Sequence, residues 1–402
     1  MKKNIGIIID NDFYTDNRVL NEVRILSEYF NVFVLCFRYD KNPPYPPLKR
    51  GERCVSVKQI YINRKVKDIL FGIQNTIPIY DCFWVYHITK FVKQYSLESI
   101  HLHDLYMSKI GWLVKKKTGV HFILDLHENY PEAVLNYKWA NHTGKRLLAK
   151  PKKWGAIEEL LLSYPDKIIV LSEGFKNTIL DKYPILKSEQ ISIYPNVPDL
   201  QEFKEYSIVE NIFDRKERFI IFYFGVISER RGIVTCIEAV HKLKEKYPQI
   251  HLLLIGPVDK AEKSDLTLLF NDVNITHYSW KDISLLPSYI HISDICICPI
   301  VKNEQHDSGI ANKVFQYALC GKPIIVSNSK PQAEFVETNN CGLVFRSGES
   351  DDLVEKIEYL INNPDKCKEF GTNGKTTVVE KYNVDVYREC LLKVYDNNIN
   401  HP

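Results

Sequence analysis

The residues of this chain that could do chemistry fall into two kinds of cluster. The first is a histidine beside an acid, and it occurs twice, as His101-Leu-His103-Asp104 and as Asp125-Leu-His127-Glu128. Such a pair can hold or move a proton near neutral pH. Alternation along a strand puts His101 and His103 on one face, and either ring could instead serve as a hydrogen-bonded part of the fold. The second kind joins cations to glycine-rich turns. In Gly225 to Gly232, which contains Glu229-Arg-Arg231, glycines allow close backbone approach and a guanidinium can grip phosphate bidentately; the alternative is a solvated arginine pair. In Asp307 to Pro323, Ile310, Ala311, Val314, Phe315, Ala318 and Leu319 form one helical stripe, with Gly309, Asn312, Lys313 and Gln316 opposite. A helix starting at Ser308, with Ser308 or Asp307 as N-cap, would offer free N–H groups beside Lys313, which suits a diphosphate. A capped surface helix is the plainer reading.

Strands and helices must alternate to position these clusters. Apolar runs at Ile5–Ile9, Val32–Phe37, Ile100–Leu102, Phe122–Leu126, Lys167–Leu171 and Ile191–Tyr194 predict one parallel sheet. Runs at Phe219–Phe224, His251–Ile255, Asn274–His277, Ile295–Cys298, Ile324–Val326 and Gly342–Phe345 predict a second. In such sheets ligands lie beyond the carboxyl ends of the strands. That rim carries Asp10 to Arg18, His103-Asp104 and His127-Glu128 in the first half, and Gly225 to Gly232, Gly256-Pro257 and the Ser308 segment in the second. Pro195-Asn-Val-Pro198 and the polar stretch after it break the rhythm. The expected division is residues 1–197 with a returning helix in 384–402, and residues 198–383.

At 402 residues the chain exceeds one ordinary core. No stretch is long and apolar enough for a membrane span, and the N-terminus does not read as a signal peptide, so a cytosolic location is expected. Ten cysteines without a Cys-x-x-Cys pair, several in apolar runs (Cys36, Cys296, Cys298), read as reduced core residues. Net charge is +3, but residues 1–200 carry +8 and the remainder −5. No nucleic-acid signature accompanies the basic half, so an anionic membrane surface is the expected contact. Residues 42–50 are too rich in proline for a helix, and Tyr137 to Trp154 mixes aromatics with lysines as lipid-facing segments do; a solvated basic face is equally consistent with it. No Gly-x-Gly-x-x-Gly follows the first strand, and no Walker motif, zinc spacing or Gly-x-Ser-x-Gly elbow occurs, which counts against dehydrogenases, kinases and hydrolases.

In order and spacing, Asp16-Asn-Arg18-Val19 with Glu22, His103-Asp104, Asp125-Leu-His127-Glu128 with Pro131-Glu132, Pro195-Asn196, Gly225 with Arg231-Gly232, Ser293-Asp294, Asn312-Lys313 and Gly321-Lys-Pro323 resemble the GT-B glycosyltransferases of family 4. The likeness is strongest to bacterial enzymes of surface-polysaccharide assembly. It implies two Rossmann-like α/β domains with parallel sheets facing across a cleft. It also implies a nucleotide-diphospho-sugar donor held by the second domain, an acceptor held by the first, on a lipid carrier at the inner face of the membrane, and transfer with retention. No cofactor and no metal are implied. The diphosphate would fall to Gly225, Arg231, Lys313 and the Ser308-Gly309-Ile310 backbone, with Asn312 and Gln316 beside it. His103, His127 and Glu128 would serve the chemistry, with His103 near the sugar, and Asp16 and Arg18 would face the acceptor. The family's Glu-x7-Glu pair falls on Ser308 and Gln316, so both acids are absent; Gln316 can still hydrogen-bond a ribose. Val226 stands where the family often has arginine, and Arg231 where it has lysine. A non-catalytic sugar-nucleotide-binding partner and a GT-B-fold epimerase are the alternative functions.

Overall fold

The computed structural model describes residues 2–39, 55–74, 76–136, 150–260, 262–279 and 281–395. The chain divides into two compact units, Met1–Pro195 with Tyr387–Pro402, and Asn196–Val386. The proline-rich stretch 42–50 and residues 137–149 of the basic aromatic segment lie outside the described residues.

The first unit holds a seven-stranded sheet of β1 (Asn4–Ile9), β2 (Asn31–Arg38), β3 (Val55–Tyr61), β4 (Ser99–His103), β5 (His121–Asp125), β6 (Lys167–Val170) and β7 (Ile191–Ile193), in the order β3-β2-β1-β4-β5-β6-β7. Every pairing is parallel. Runs such as Ile-Gly-Ile-Ile-Ile in β1 are buried on both faces, as parallel strands covered by helices require. Trp84, Tyr80, Phe37, Phe91 and Phe122 fill the core. One strand, β3, is not among those expected from sequence. It is an edge strand, only half-buried, and its Val-Ser-Val-Lys-Gln-Ile-Tyr carries no apolar run.

The second unit holds β8 (Phe219–Phe224), β9 (Ile250–Ile255), β10 (Ile275–Tyr278), β11 (Ile295–Cys298), β12 (Ile324–Ser327) and β13 (Gly342–Phe345), in the order β10-β9-β8-β11-β12-β13, again all parallel. In both sheets the order reverses beside the first strand, which is where open α/β sheets leave room for a ligand.

The helix after β11 starts later than the sequence reading has it. His306–Ser308 form a short 3-10 turn, Gly309 is extended (φ −173°, ψ 170°), and the α-helix is Asn312–Leu319 with Ala311 as an N-cap that makes no side-chain hydrogen bond. The presumed capping residues are engaged elsewhere. Asp307 accepts from Ser329 Oγ and from the Lys330 N–H, each at 2.7 Å, at the start of the helix Lys330–Thr338, and Ser308 Oγ donates to the Gln305 carbonyl at 2.7 Å.

The nine described cysteines are free, with Cys36, Cys296 and Cys298 buried. Among the described residues no helix is long and apolar enough to cross a membrane.

Candidate functional sites in the two units

In the first unit the helix Asn17–Tyr29 begins at Asp16, whose carboxylate accepts from the Arg18 and Val19 N–H groups. Its buried stripe is apolar at Val19, Val23 and Leu26 but also contains Arg18 and Glu22, one turn apart. Charges inside a core must find partners. Arg18 Nε and a terminal nitrogen bind the two oxygens of Asp125 at 2.8 and 2.9 Å, and the other terminal nitrogen donates to the Tyr194 carbonyl at 2.7 Å. Glu22 Oε1 lies 3.1 Å from Arg18 Nε.

Asp125 ends β5 beside His103 at the end of β4, since the register pairs those two positions. Three imidazoles surround its Oδ2: His127 Nε2 at 3.5 Å, His103 Nδ1 at 3.7 Å and His101 Nε2 at 4.0 Å. His103 Nδ1 and His127 Nε2 are hydrogen-bonded at 2.9 Å, and His101 stacks on His103 with centroids 4.6 Å apart. Burial works against charge on Asp125, yet Arg18 and His127 hold it well below the usual carboxylate range. Burial also disfavours a charged His127, but the carboxylates of Asp125, Asp104 and Asp16 outweigh that and push it up to about 10. Burial and the neighbouring histidines pull His101 and His103 below the ordinary value. The cluster therefore holds one cationic imidazole over two neutral ones.

His103 is buried, its side chain 3% exposed, while the His127 side chain is 20% exposed. His127, rather than His103, stands at the accessible edge, with Asp16 Oδ2 at 3.9 Å from its Nδ1. Arg18 lies inside the cluster, with three nitrogens committed to Asp125 and Tyr194. Glu128 is half-buried; its charge, after burial, helps raise Asp104 to about 7. Asp104 also has a positive φ of 71° and accepts from Tyr106 OH at 3.1 Å. Asp10 accepts from Tyr80 and Tyr106, both at 2.7 Å.

Donor atoms of Glu22, His101, His103 and Asp125 all lie within 4.8 Å of one another. Arg18 already occupies both oxygens of Asp125 and lies 3.1 Å from Glu22 Oε1, so the two acids of this quartet are paired with the guanidinium.

In the second unit, Phe224 N–H at the end of β8 donates to Tyr317 OH at 2.8 Å. This fixes the helix Asn312–Leu319 against the strand, and Lys313, one turn before Tyr317, is carried to the next position, Gly225. A Cβ built on Gly225, whose φ is +134°, would stand 2.7 Å from Lys313 Nζ. Lys313 Nζ lies 3.9 Å from the Tyr223 ring centroid. Desolvation pushes its ammonium down to about 7, and the charge of Arg231 adds to the drop.

Arg231 belongs to the 3-10 turn Glu229–Arg231, which Gly232 (φ 74°) links to the helix Ile233–Leu243. A Cβ on Gly232 would come within 1.8 Å of the Pro299 carbonyl oxygen, so only glycine lets the turn dock there. Among the described residues neither Arg231 nor Lys313 forms an ion pair with a carboxylate, although the charge of Arg231 is felt at Lys313. Asn312 is exposed and Gln316 half-buried near the helix start, and no hydrogen bond ties up either side chain among the described residues. Ser308 does not join this group, because it is buried and turned to the Gln305 backbone.

Sequence reasoning did not single out Asp125 and Glu22 as site residues, although both stand in the quoted motifs; it missed Tyr194 altogether. The available signal was a pair of complementary charges in two otherwise apolar stripes, Arg18 and Glu22 on a helix and Asp125 on a strand.

Comparison with known proteins agrees with the fold of the two units. The family model described as "Glycosyltransferase Family 4" matches residues 18–202, and the one described as "Glycosyl transferases group 1" matches residues 207–377. The capsular polysaccharide biosynthesis glycosyltransferase CapM of Staphylococcus aureus is 23% identical over 60% of this chain and 64% of its own length, which is under two thirds of that relative. An alpha-maltose-1-phosphate synthase of Mycolicibacterium smegmatis is 22% identical over 74% of this chain and 78% of its own. Among solved structures, a sucrose-phosphate synthase from Thermosynechococcus elongatus superposes with a TM-score of 0.76 at 18% identity, covering 98% of this chain and 99% of that one. Anabaena HepE, solved in complex with UDP, superposes at 0.71 with 14% identity, covering 98% of this chain and 100% of that one. The two glycosyltransferase family models together span most of this chain, and with its two parallel sheets and its structural likenesses the chain belongs to the GT-B-type glycosyltransferases.

Proposed function

We propose that the protein moves a sugar, with retention and without a metal ion, from a nucleotide-diphospho-sugar to a glycan acceptor, carried on lipid, in bacterial surface-polysaccharide assembly. The observation that carries this reading is Lys313 beside Gly225, with the charge of Arg231 bearing on it and no carboxylate partner for either among the described residues. A diphosphate completes that site. Its charge would restore the proton on Lys313, and Arg231 would bind a second oxygen.

In the reaction the bond from the anomeric carbon to the β-phosphate oxygen breaks, and its electron pair leaves on that oxygen. Arg231, Lys313 and the N–H groups at the start of Asn312–Leu319 stabilise the developing charge. The acceptor hydroxyl oxygen bonds to the anomeric carbon on the face the diphosphate leaves, and its proton passes to the departing phosphate. Gln316 would take a ribose hydroxyl in place of the absent acid. The first unit would hold the acceptor through the carboxylate rim of Asp16, Asp104 and Glu128, with cationic His127 as N–H donor to a sugar hydroxyl and His103 behind it.

Support for a nucleotide-sugar donor comes from HepE, solved with UDP. Support for the polysaccharide context comes from CapM. A membrane contact on the cytosolic side rests on the +8 charge of residues 1–200. The absence of acids at 308 and 316 favours one second reading, a partner that binds the donor without turning it over.

A thermal-shift panel of UDP-, GDP- and dTDP-sugars tests the assignment. A ligand at 100 times its dissociation constant adds about 2.7 kcal/mol, so a shift with one nucleotide is expected. No shift with any of them would refute the reading, and binding without nucleotide release in the presence of glycan acceptors would favour the non-catalytic partner.

A further inference from the structure

The C-terminal helix Val384–Tyr395 ends on the histidine cluster. From Tyr387 onward it belongs to the first unit, where Arg388 pairs with Glu28 and Leu391, Leu392 and Val394 are buried. Its last residue, Tyr395, packs its ring against Phe30, with centroids 5.3 Å apart, and brings its hydroxyl to 2.6 Å from His101 Nδ1. Nothing in the proposed reaction uses this contact, yet it is among the shortest side-chain hydrogen bonds of the buried network.

We propose that Tyr395 is a positioning residue: its phenol donates to His101 Nδ1, fixes His101 as the Nε2–H tautomer, and so holds the floor on which His103 and His127 stand. The direction of the bond follows from the surroundings. Burial, with the nearby Glu22 and Asp125 charges, keeps the phenol protonated, so its O–H must find an acceptor, and His101 Nδ1 is the one within reach. The remaining His101 proton then sits on Nε2, which faces Asp125 Oδ2 at 4.0 Å and has no other partner.

The opposite tautomer would turn a lone pair toward that carboxylate. His101 stacks on His103, whose own Nδ1 is hydrogen-bonded to His127 Nε2 at 2.9 Å. A rotated or re-protonated His101 therefore disturbs the ring that supports His127. The inference rests on His127 serving the transfer, as proposed above.

The test compares Tyr395→Phe with Phe30→Leu in the full chain labelled with 15N-histidine. Tyr395→Phe removes only the hydroxyl and keeps the ring packing, whereas Phe30→Leu disturbs the packing and keeps the hydroxyl. Long-range 1H–15N spectra should include a neutral Nε2–H histidine that is lost in His101→Gln, and its Nδ1 signal should move in Tyr395→Phe and stay in Phe30→Leu. With UDP-glucose as probe, Tyr395→Phe should lower the kcat for UDP release about tenfold while leaving UDP affinity unchanged.

An unmoved Nδ1 signal in Tyr395→Phe, an equal change in both variants, or an unaltered kcat would overturn the proposal. Failure of the wild-type chain to bind UDP would instead strike the functional reading, since the tautomer measurement needs no nucleotide.

Discussion

The ammonium of Lys313 lies 3.9 Å from the centre of the Tyr223 ring, and no carboxylate reaches it among the described residues. Its proton is accordingly held loosely, with desolvation setting its affinity at about 7. An incoming diphosphate favours the charged form, so binding takes up a proton above that pH. UDP affinity is expected to be greatest below pH 7 and to fall up to about tenfold per pH unit above it. Titration calorimetry from pH 6 to 9 checks this, and Lys313→Arg should flatten the profile. A pH-independent affinity in the wild type would contradict the assignment.

Gly225 is the second half of that arrangement. A methyl group there would face Lys313 Nζ at 2.7 Å on a backbone with φ +134°, a region that suits glycine. Gly225→Ala should displace the lysine and weaken UDP binding by about tenfold or more, and cost about 1–3 kcal/mol of stability through the strained backbone. Equilibrium binding and urea unfolding read the two effects separately.

Arg18 and Asp125 form a buried, doubly hydrogen-bonded ion pair. Asp125→Asn leaves the guanidinium charged without its partner and should destabilise the first unit by about 3–5 kcal/mol. The triple change Arg18→Met, Glu22→Gln and Asp125→Leu removes the pair together with the buried Glu22 that also contacts Arg18, and should recover much of that loss. Denaturant midpoints of the three proteins are the measurement.

His127 links stability to pH. Its affinity for a proton is raised from about 6.5 when unfolded to about 10 in the fold. The folded state binds more protons between those values, so the contribution is fully present below pH 6.5 and is lost as pH rises through 10. Unfolding free energy of the first unit should decline by at most about 1.4 kcal/mol per pH unit across that window, and His127→Gln should remove this decline.

Much of this architecture can be read from the chain, because a parallel sheet buried on both faces writes its strands as apolar runs such as Phe-Ile-Ile-Phe-Tyr-Phe in β8. β3 escapes, since an edge strand that keeps Lys58 and Gln59 in partial contact with water has no such run. The start of the helix at Asn312 is hidden for another reason. Asp307 and Ser308 carry capping chemistry, but tertiary contacts with Ser329, Lys330 and Gln305 claim it. Lys313 lies more than eighty residues beyond Gly225 and Arg231 in sequence and reaches Gly225 through one hydrogen bond, Phe224 to Tyr317, that no local pattern encodes. Likewise, the histidine-acid pairs are visible in sequence, but that Asp125 is their hub and His127 their exposed member depends on the register of β4 and β5.

The most direct test of the central claim, that a nucleoside diphosphate is held by Arg231 and Lys313 without a metal ion, is calorimetric titration of UDP into the full chain in EDTA. Binding by the wild type, weakened about tenfold or more in Lys313→Ala and in Arg231→Ala, is the predicted result. Unchanged affinity in both variants, or wild-type binding that appears only when a divalent ion is restored, would contradict it.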